Sequence, residues 1–406
     1  MRFTPLALAP ILAGPLVAPA SAAPQDVPLS SLRRDLESRD AGVRRAAAVA
    51  LAERGAEADA LLRRTLEHDD RLLAAFAAIQ LGRGEPAAEK SIAALVETLD
   101  PHGRQAGFRV EQILADWEQR REPLLGQIEA AVRGSVDLDP AELYGAEVWE
   151  YLGVQEACIH ALSDQGLPAL EALLEACSSS RGEAGELGTG YSRLRAALAL
   201  VARRTGPPAV APLEAATESA SPGVRAAAAV ALGAVGEPAR SALAALRRLA
   251  KEQDPHVRWR AVEAIGSLDA PRTQVAELLQ RAREDEHPMV RVRAAHASAA
   301  IGVRARTCMA VLREAADDGD PNVVRAALDA LAQFDGRDQR RAVALLIECL
   351  ASELADTRRA AANALARVGP AAGDALPELR ALAEDSEEEE AVRLAARDAI
   401  AAIAVR

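Results

Sequence analysis

Side chains able to bind metals or attack carbonyls are scarce in this sequence and stand apart from one another. The six histidines, at positions 68, 102, 160, 256, 287 and 296, occur singly and none is followed by Glu, so the ligand spacing of a metal centre is missing. The four cysteines, Cys158, Cys177, Cys308 and Cys349, contain no CxxC pair and are too few for a disulfide framework. Small core positions suit them. Cys158 and Cys177 fall on consecutive antiparallel segments at matching distances from a turn at Gln165-Gly166, where an oxidising compartment would let them pair. There is no Gly-rich phosphate loop and no nucleophile elbow. Neither a catalytic group nor a cofactor is expected.

Two residue sets do have suggestive spacing. Arginines at 44, 195, 225, 258, 291, 358 and 393 recur at one place in a repeating pattern. They read either as an anion-binding row or as a structural ladder that satisfies charge between stacked turns, and the structural reading is preferred. Asp40, Asp254 and Asp320 stand where such a ladder needs acidic partners. The second set is aromatic. Phe108, Trp117, Tyr144, Trp149, Tyr151 and Tyr191 are six of only ten aromatics in the chain and cluster in one region, as a contact surface or as an enlarged core. The acidic run around Glu384-Asp385 and Glu387 to Glu390 reads as a solvated turn before the last helix, where the helix dipole favours carboxylates.

The elements that carry these residues repeat. Val224, Val257, Val290, Val323, Thr357 and Val392 are spaced by 33, 33, 33, 34 and 35 residues, each followed eight residues on by Leu, Ile or Ser. Gly or Asp stands twelve residues after all but the last of them. Ser221-Pro222, Asp254-Pro255, His287-Pro288 and Asp320-Pro321 mark helix starts, since Ser or Asp caps free N–H groups and Pro tolerates the first helical position. Val224, Ala228, Leu232 and Val235 make one apolar stripe, and Gly236 supplies the stop. Leu243, Leu246 and Leu249 belong to a preceding helix. Two antiparallel helices per unit follow, and such units must stack to bury both faces. Val43, Leu73, Val154 and Leu194 carry the pattern upstream less regularly.

The run Asp254-Pro255-His256-Val257-Arg258, with its Ala-rich helix and terminal turn, resembles the HEAT-repeat family, in particular its phycobilisome-lyase-like subtype. The resemblance spans most of residues 28 to 404. It implies an all-α fold, an α-solenoid or superhelix of antiparallel helical hairpins, and it makes the recurrent Arg an inter-repeat ladder residue. A solenoid occupying 24–406 is expected, irregular over 100–190, with a flexible Gly and Ser-rich loop at 178–190. Deoxyhypusine hydroxylase, a HEAT-repeat metalloenzyme, uses paired His-Glu motifs that this sequence lacks.

Composition sets the remaining bounds. The net charge of −12 opposes nucleic-acid binding. Residues 1–23 read as a secretory signal peptide, with Arg2, an apolar run from Leu6 to Val17 and Ala20-Ser21-Ala22 for cleavage. The mature chain has no apolar stretch of the ~18 residues a membrane span needs. The expectation is an exported, periplasmic or extracellular scaffold that binds a protein or peptide partner, with the second helix of each hairpin lining the binding surface. The alternatives are a chromophore-lyase-like role, implied by the subtype resemblance, and a structural envelope spacer.

Overall fold

Each 33-residue step is one antiparallel helical hairpin. In the computed structural model, residues 27–83, 89–99, 126, 128–133, 154, 157–179, 189–302 and 305–404 are described. Among them every regular element is a helix. The chain divides into two compact units, with the boundary between Ala242 and Leu243.

The N-terminal unit contains α1 (Leu29–Leu36), α2 (Ala41–Ala52), α3 (Asp59–Thr65), α4 (Arg71–Gly82), α5 (Glu89–Leu99), α6 (Leu167–Ser179), α7 (Thr189–Thr205), α8 (Val210–Ala216) and α9 (Pro222–Val235). Helix α1 packs on α2, α3 on α4 and α8 on α9, and the second helices pack on one another, α2 on α4 and α7 on α9. The C-terminal unit contains α10 (Leu243–Leu249), α11 (Pro255–Ser267), α12 (Arg272–Ala282), α13 (Pro288–Ala300), α14 (Ala305–Ala316), α15 (Pro321–Leu331), α16 (Gly336–Cys349), α17 (Ala355–Val368), α18 (Leu376–Glu384) and α19 (Glu390–Ala404). Its second helices, α11, α13, α15, α17 and α19, form a continuous row, each touching the next.

The anchor positions are the buried ones. Leu73, Leu194, Val257 and Val290 are fully enclosed, and even Thr357 is 5% exposed, whereas Val43 is 41% exposed. The abundance of Ala lets helices approach closely. A Cβ on Gly266 would lie 2.8 Å from Ala297 Cβ, and one on Gly82 would lie 2.5 Å from Ala161. Thin layers of Ala and Leu therefore replace the thick aromatic core of a globular domain.

Turn chemistry follows the sequence with two exceptions. Asp254 and Asp320 accept the N–H groups of His256 and Asn322, both at 2.8 Å, and the His287 ring accepts that of Met289. Ser221 occupies the cap position without making a side-chain capping bond, an unexpected result. At the helix ends Gly206, Gly236, Gly302 and Gly369 have positive φ, and Asp269 holds the same place at φ 50°. In the hairpin that leads to α16 the sequence pattern points to Asp335, yet that residue has φ −122° and Gly336 takes the positive value instead. Glycine enters that conformation without a Cβ clash, so the turn shifts by one residue to use it.

The flexible segment expected at 178–190 is helical at both ends, because α6 reaches Ser179 and α7 begins at Thr189. Residues 180–188 lie outside the described residues, as does the segment 1–23 that reads as a signal peptide.

Candidate functional site

The recurrent arginine does the same thing in five hairpins. One guanidinium nitrogen, Nη1, donates to the backbone carbonyls six and five residues upstream, in the turn before its own helix. Arg44 binds the carbonyls of Ser38 and Arg39 at 2.9 and 3.1 Å, and Arg225 those of Ser219 and Ala220 at 2.8 and 3.0 Å. Arg258 binds Glu252 and Gln253, Arg291 binds Asp285 and Glu286, and Arg358 binds Ser352 and Glu353 in the same way. These carbonyls follow the end of the first helix, so the arginine satisfies acceptors that the helix ladder leaves open.

The other nitrogens reach the next repeat. Arg44 pairs with Asp70 at 2.8 Å. Arg258 makes a two-pronged pair with Asp285, Nε to Oδ2 at 3.0 Å and Nη2 to Oδ1 at 2.8 Å, and also meets Glu286. Arg358 does the same with Glu388, and Arg291 reaches Glu314 at 3.4 Å. The Arg358 pair holds the Glu388 carboxyl below its ordinary range. Burial would raise the Asp285 carboxyl, but the hydrogen bonds from Arg258 and the His287 N–H outweigh it and keep it low. Arg195 is buried. Arg393 follows Val392 on α19, and its charge further favours ionised Glu388.

The aspartates expected to serve this ladder have other partners. Asp40 caps α2 through the N–H groups of Gly42 and Val43 at 2.7 and 3.1 Å, and Asp254 and Asp320 cap their own helices as described. The charge partner comes from the next repeat, and Asp70 shows that a cap aspartate there can serve: its Oδ1 accepts the Leu73 N–H at the start of α4 while its Oδ2 takes Arg44. Asp70, Asp285 and Glu388 are the acids missed by sequence reasoning. Their offsets of 26, 27 and 30 residues from the arginine are the signal that marks them.

A second polar row lies on the face made by the second helices of the C-terminal unit. Its positions fall six residues after each anchor: Glu263 on α11, His296 on α13 and Asp329 on α15. Glu263 meets Arg260 on its own helix and Arg293 on the next, both at 3.0 Å. His296 bonds Gln333 at 2.8 Å, and Asp329 pairs with Arg367 of α17. Burial is the first cause of a lowered His296 pKa, so the ring is neutral at pH 7.

Trp259 anchors one end of this row. The Arg260 guanidinium lies 3.6 Å above its ring and that of Arg293 lies 5.5 Å from it. The Trp259 Nε1–H donates to His256 Nδ1 at 3.2 Å. Cation–π contacts of this kind contribute about 0.5–2 kcal/mol each. Trp259 itself is buried, at 7% exposure, so the result is a row of half-buried charges laid over a buried aromatic and held by neighbours on two helices.

Of the aromatics singled out in the sequence, Phe108, Trp117, Tyr144, Trp149 and Tyr151 lie outside the described residues. Tyr191 falls within α7, and its side chain is likewise outside them. Cys158 and Cys177 are both buried thiols that do not form a disulfide. Burial pushes the Cys158 pKa far up. Among the described residues no group of three His, Cys, Asp or Glu side chains is placed to hold a metal ion, and no helix is long and apolar enough to cross a membrane.

Comparison with known proteins bears on the regular part of the chain. A family model described as HEAT repeats matches residues 211–274 and 275–365. Residues 211–365 are HEAT repeats. The match does not distinguish the phycobilisome-lyase-like subtype. No curated protein matches the sequence. Among solved structures, Kap121p is 14% identical over 92% of this chain and 46% of its own, with a TM-score of 0.43. This chain thus spans under half the length of Kap121p. An engineered protein is 20% identical, covering 92% of this chain and 98% of its own, with a TM-score of 0.32. Human deoxyhypusine hydroxylase in complex with glycerol is 20% identical, covering 72% and 98%, with a TM-score of 0.30. Within the C-terminal unit, the turn ladder from Arg258 to Arg358 runs through the turns that precede the second helices, and the Trp259 row lies on those helices.

Proposed function

We propose that this protein is an exported scaffold that binds a protein or peptide partner along the second-helix face of its HEAT repeats. The observation that carries the reading is the row from Trp259 to Arg367, in which four second helices contribute one row of alternating charge laid over a buried aromatic. Stacked repeats present such extended surfaces by construction, and a row of partly exposed arginines and carboxylates gives orientation and specificity to a bound chain. Export rests on the sequence of residues 1–23. The aromatics at 108 to 191 remain candidates for additional contacts.

The test is affinity capture from envelope and periplasmic extract with residues 24–406 as bait, comparing wild type with the double variant Arg293→Gln and Asp329→Asn. Circular dichroism first establishes that the variant is folded. Retention of one partner by wild type and its loss from the variant supports the reading. Equal retention by both rules out this face as the contact surface. Terminal sequencing of protein secreted from its host checks the signal peptide, and an intact Met1 in the periplasm would contradict it.

A further inference from the structure

The arginine ladder has one missing rung. Five of the anchor-plus-one positions in and around the HEAT repeats hold Arg225, Arg258, Arg291, Arg358 and Arg393, but the one on α15 holds Val324, which is 3% exposed and packed in the core. By the geometry of the other rungs, a guanidinium here would bind the carbonyls of Asp318 and Gly319 and reach an acid just before the next helix cap. Glu353 occupies that place, one residue before the cap of α17, as Glu286 precedes His287.

A cleft of about 440 Å³ lies between these two turns. Asp317 and Asp318 line one side, Glu348 and Glu353 the other, with Arg313 as the single basic residue. Arg313 is already paired with Glu348. Its Cys349 thiol is pushed up to about 11, first by burial and then by the Asp317 and Glu348 carboxylates, which marks the cleft as electronegative. Leu354 stands at the cap position where other turns have Asp, Ser or His, makes no capping bond and is 60% exposed beside the opening. The carboxylates are spread along a slot and do not converge as metal ligands would, so the cleft suits a flat, delocalised cation better than a metal ion.

We propose that the cleft between residues 317–318 and 351–354 receives an arginine side chain of a protein partner, in the place that the chain's own arginine fills at the other rungs, with an apolar neighbour of that arginine covering Leu354. This rests on the reading of the chain as a protein-binding scaffold and adds a specific anchor on its turn edge. The same chain shows five times over that turn carbonyls at this position hold a guanidinium, three times with an acid of the next turn as well. The bond type is therefore demonstrated within the fold, and at the missing rung Asp318 and Glu353, the residues that would hold the guanidinium, both line the cleft.

The probes are the tripeptide acetyl-Leu-Arg-Leu-amide and its citrulline counterpart, which keeps the shape and loses the charge. Methyl resonances of Leu345 and Leu354 in the full-length protein report binding. We expect the arginine peptide to bind with Kd of about 1 mM and the citrulline peptide at least about tenfold more weakly. Glu353→Gln should weaken only the arginine peptide. Val324→Arg should fill the rung from within and abolish binding. Should that variant not fold, Glu353→Gln and Asp318→Asn decide the matter. Equal binding of the two peptides, no shift at all, or undiminished binding by a folded Val324→Arg would overturn the proposal. In the capture experiment, retention of the partner by both wild type and Val324→Arg defeats the cleft proposal and leaves the scaffold reading standing. Retention by neither, with the tripeptide bound, defeats the scaffold reading alone.

Discussion

Arg358 and Glu388 face each other across thirty residues in a two-pronged pair, Nε to Oε2 at 2.6 Å and Nη2 to Oε1 at 2.7 Å, while Arg358 Nη1 holds two carbonyls of its own turn. One side chain thus closes a hairpin and joins it to the next, so the ladder adds a charged link on the turn side to repeats packed through Ala and Leu.

Replacing Glu388 with Gln should cost about 1–3 kcal/mol at neutral pH, because the Arg358 guanidinium then lacks its charged partner. Glu388 is held below its ordinary value in the folded state, so its contribution is present above the unfolded carboxyl pKa and is lost as pH falls through the folded value. The wild-type advantage should therefore shrink below about pH 4. Urea unfolding across pH 7 to 3 measures it, and a pH-independent difference would contradict the account.

His296 gives the opposite kind of dependence. Its folded pKa is lowered, first by burial and also by Arg293, although the bond to Gln333 and the charges of Glu263 and Asp329 act the other way. The unfolded chain takes up the proton more readily, so this group's contribution to stability is full above the unfolded pKa and declines as pH drops below about 6.5. In His296→Gln the slope of stability between pH 7 and pH 5 should be smaller than in wild type. Identical slopes would show that the ring does not titrate as described.

Gly266→Ala should destabilise by about 1–3 kcal/mol, since the added methyl meets Ala297 at 2.8 Å and two helices must move apart. Gly373→Ala is the control, with open space around its Cβ and an expected change of under about 1 kcal/mol. Thermal melts of the two variants distinguish local crowding from a general intolerance of glycine replacement.

Cys158 and Cys177 should both be alkylated when the purified protein is unfolded in denaturant without reductant, and neither should react in the native state. Burial and a raised pKa keep Cys158 a thiol. Mass spectrometry that found a linked peptide pair would mean that oxidation rearranges α6 and the helix before it.

The hairpin repeat was legible because its signals are local. Asp-Pro caps, an apolar residue every third or fourth position and a terminal Gly each act within a few residues, and Val257 and Val290 are buried where the period places them. The partner acids of the ladder were not legible in the same way. Asp254 declares itself a cap by the Pro that follows it, but Asp285 is one of several acids in its turn, and only the direction in which the Arg258 guanidinium leaves its helix singles it out. The charged row over Trp259 was also missed: the Trp is a core residue, and only the structure shows Arg260 and Arg293 packed over its ring.

By itself the sequence determined that the chain forms helices, where most of them start and stop, and that they pair in hairpins that must stack, because those outcomes follow from capping chemistry and apolar period. The tertiary structure alone decided which charges meet. A salt bridge spans 26 to 30 residues and depends on the packing of one hairpin against the next, a quantity written at no single position. It also decided what the exchange of Arg for Val324 means: within a linear pattern it is one irregularity, and in three dimensions it stands beside an acidic cleft.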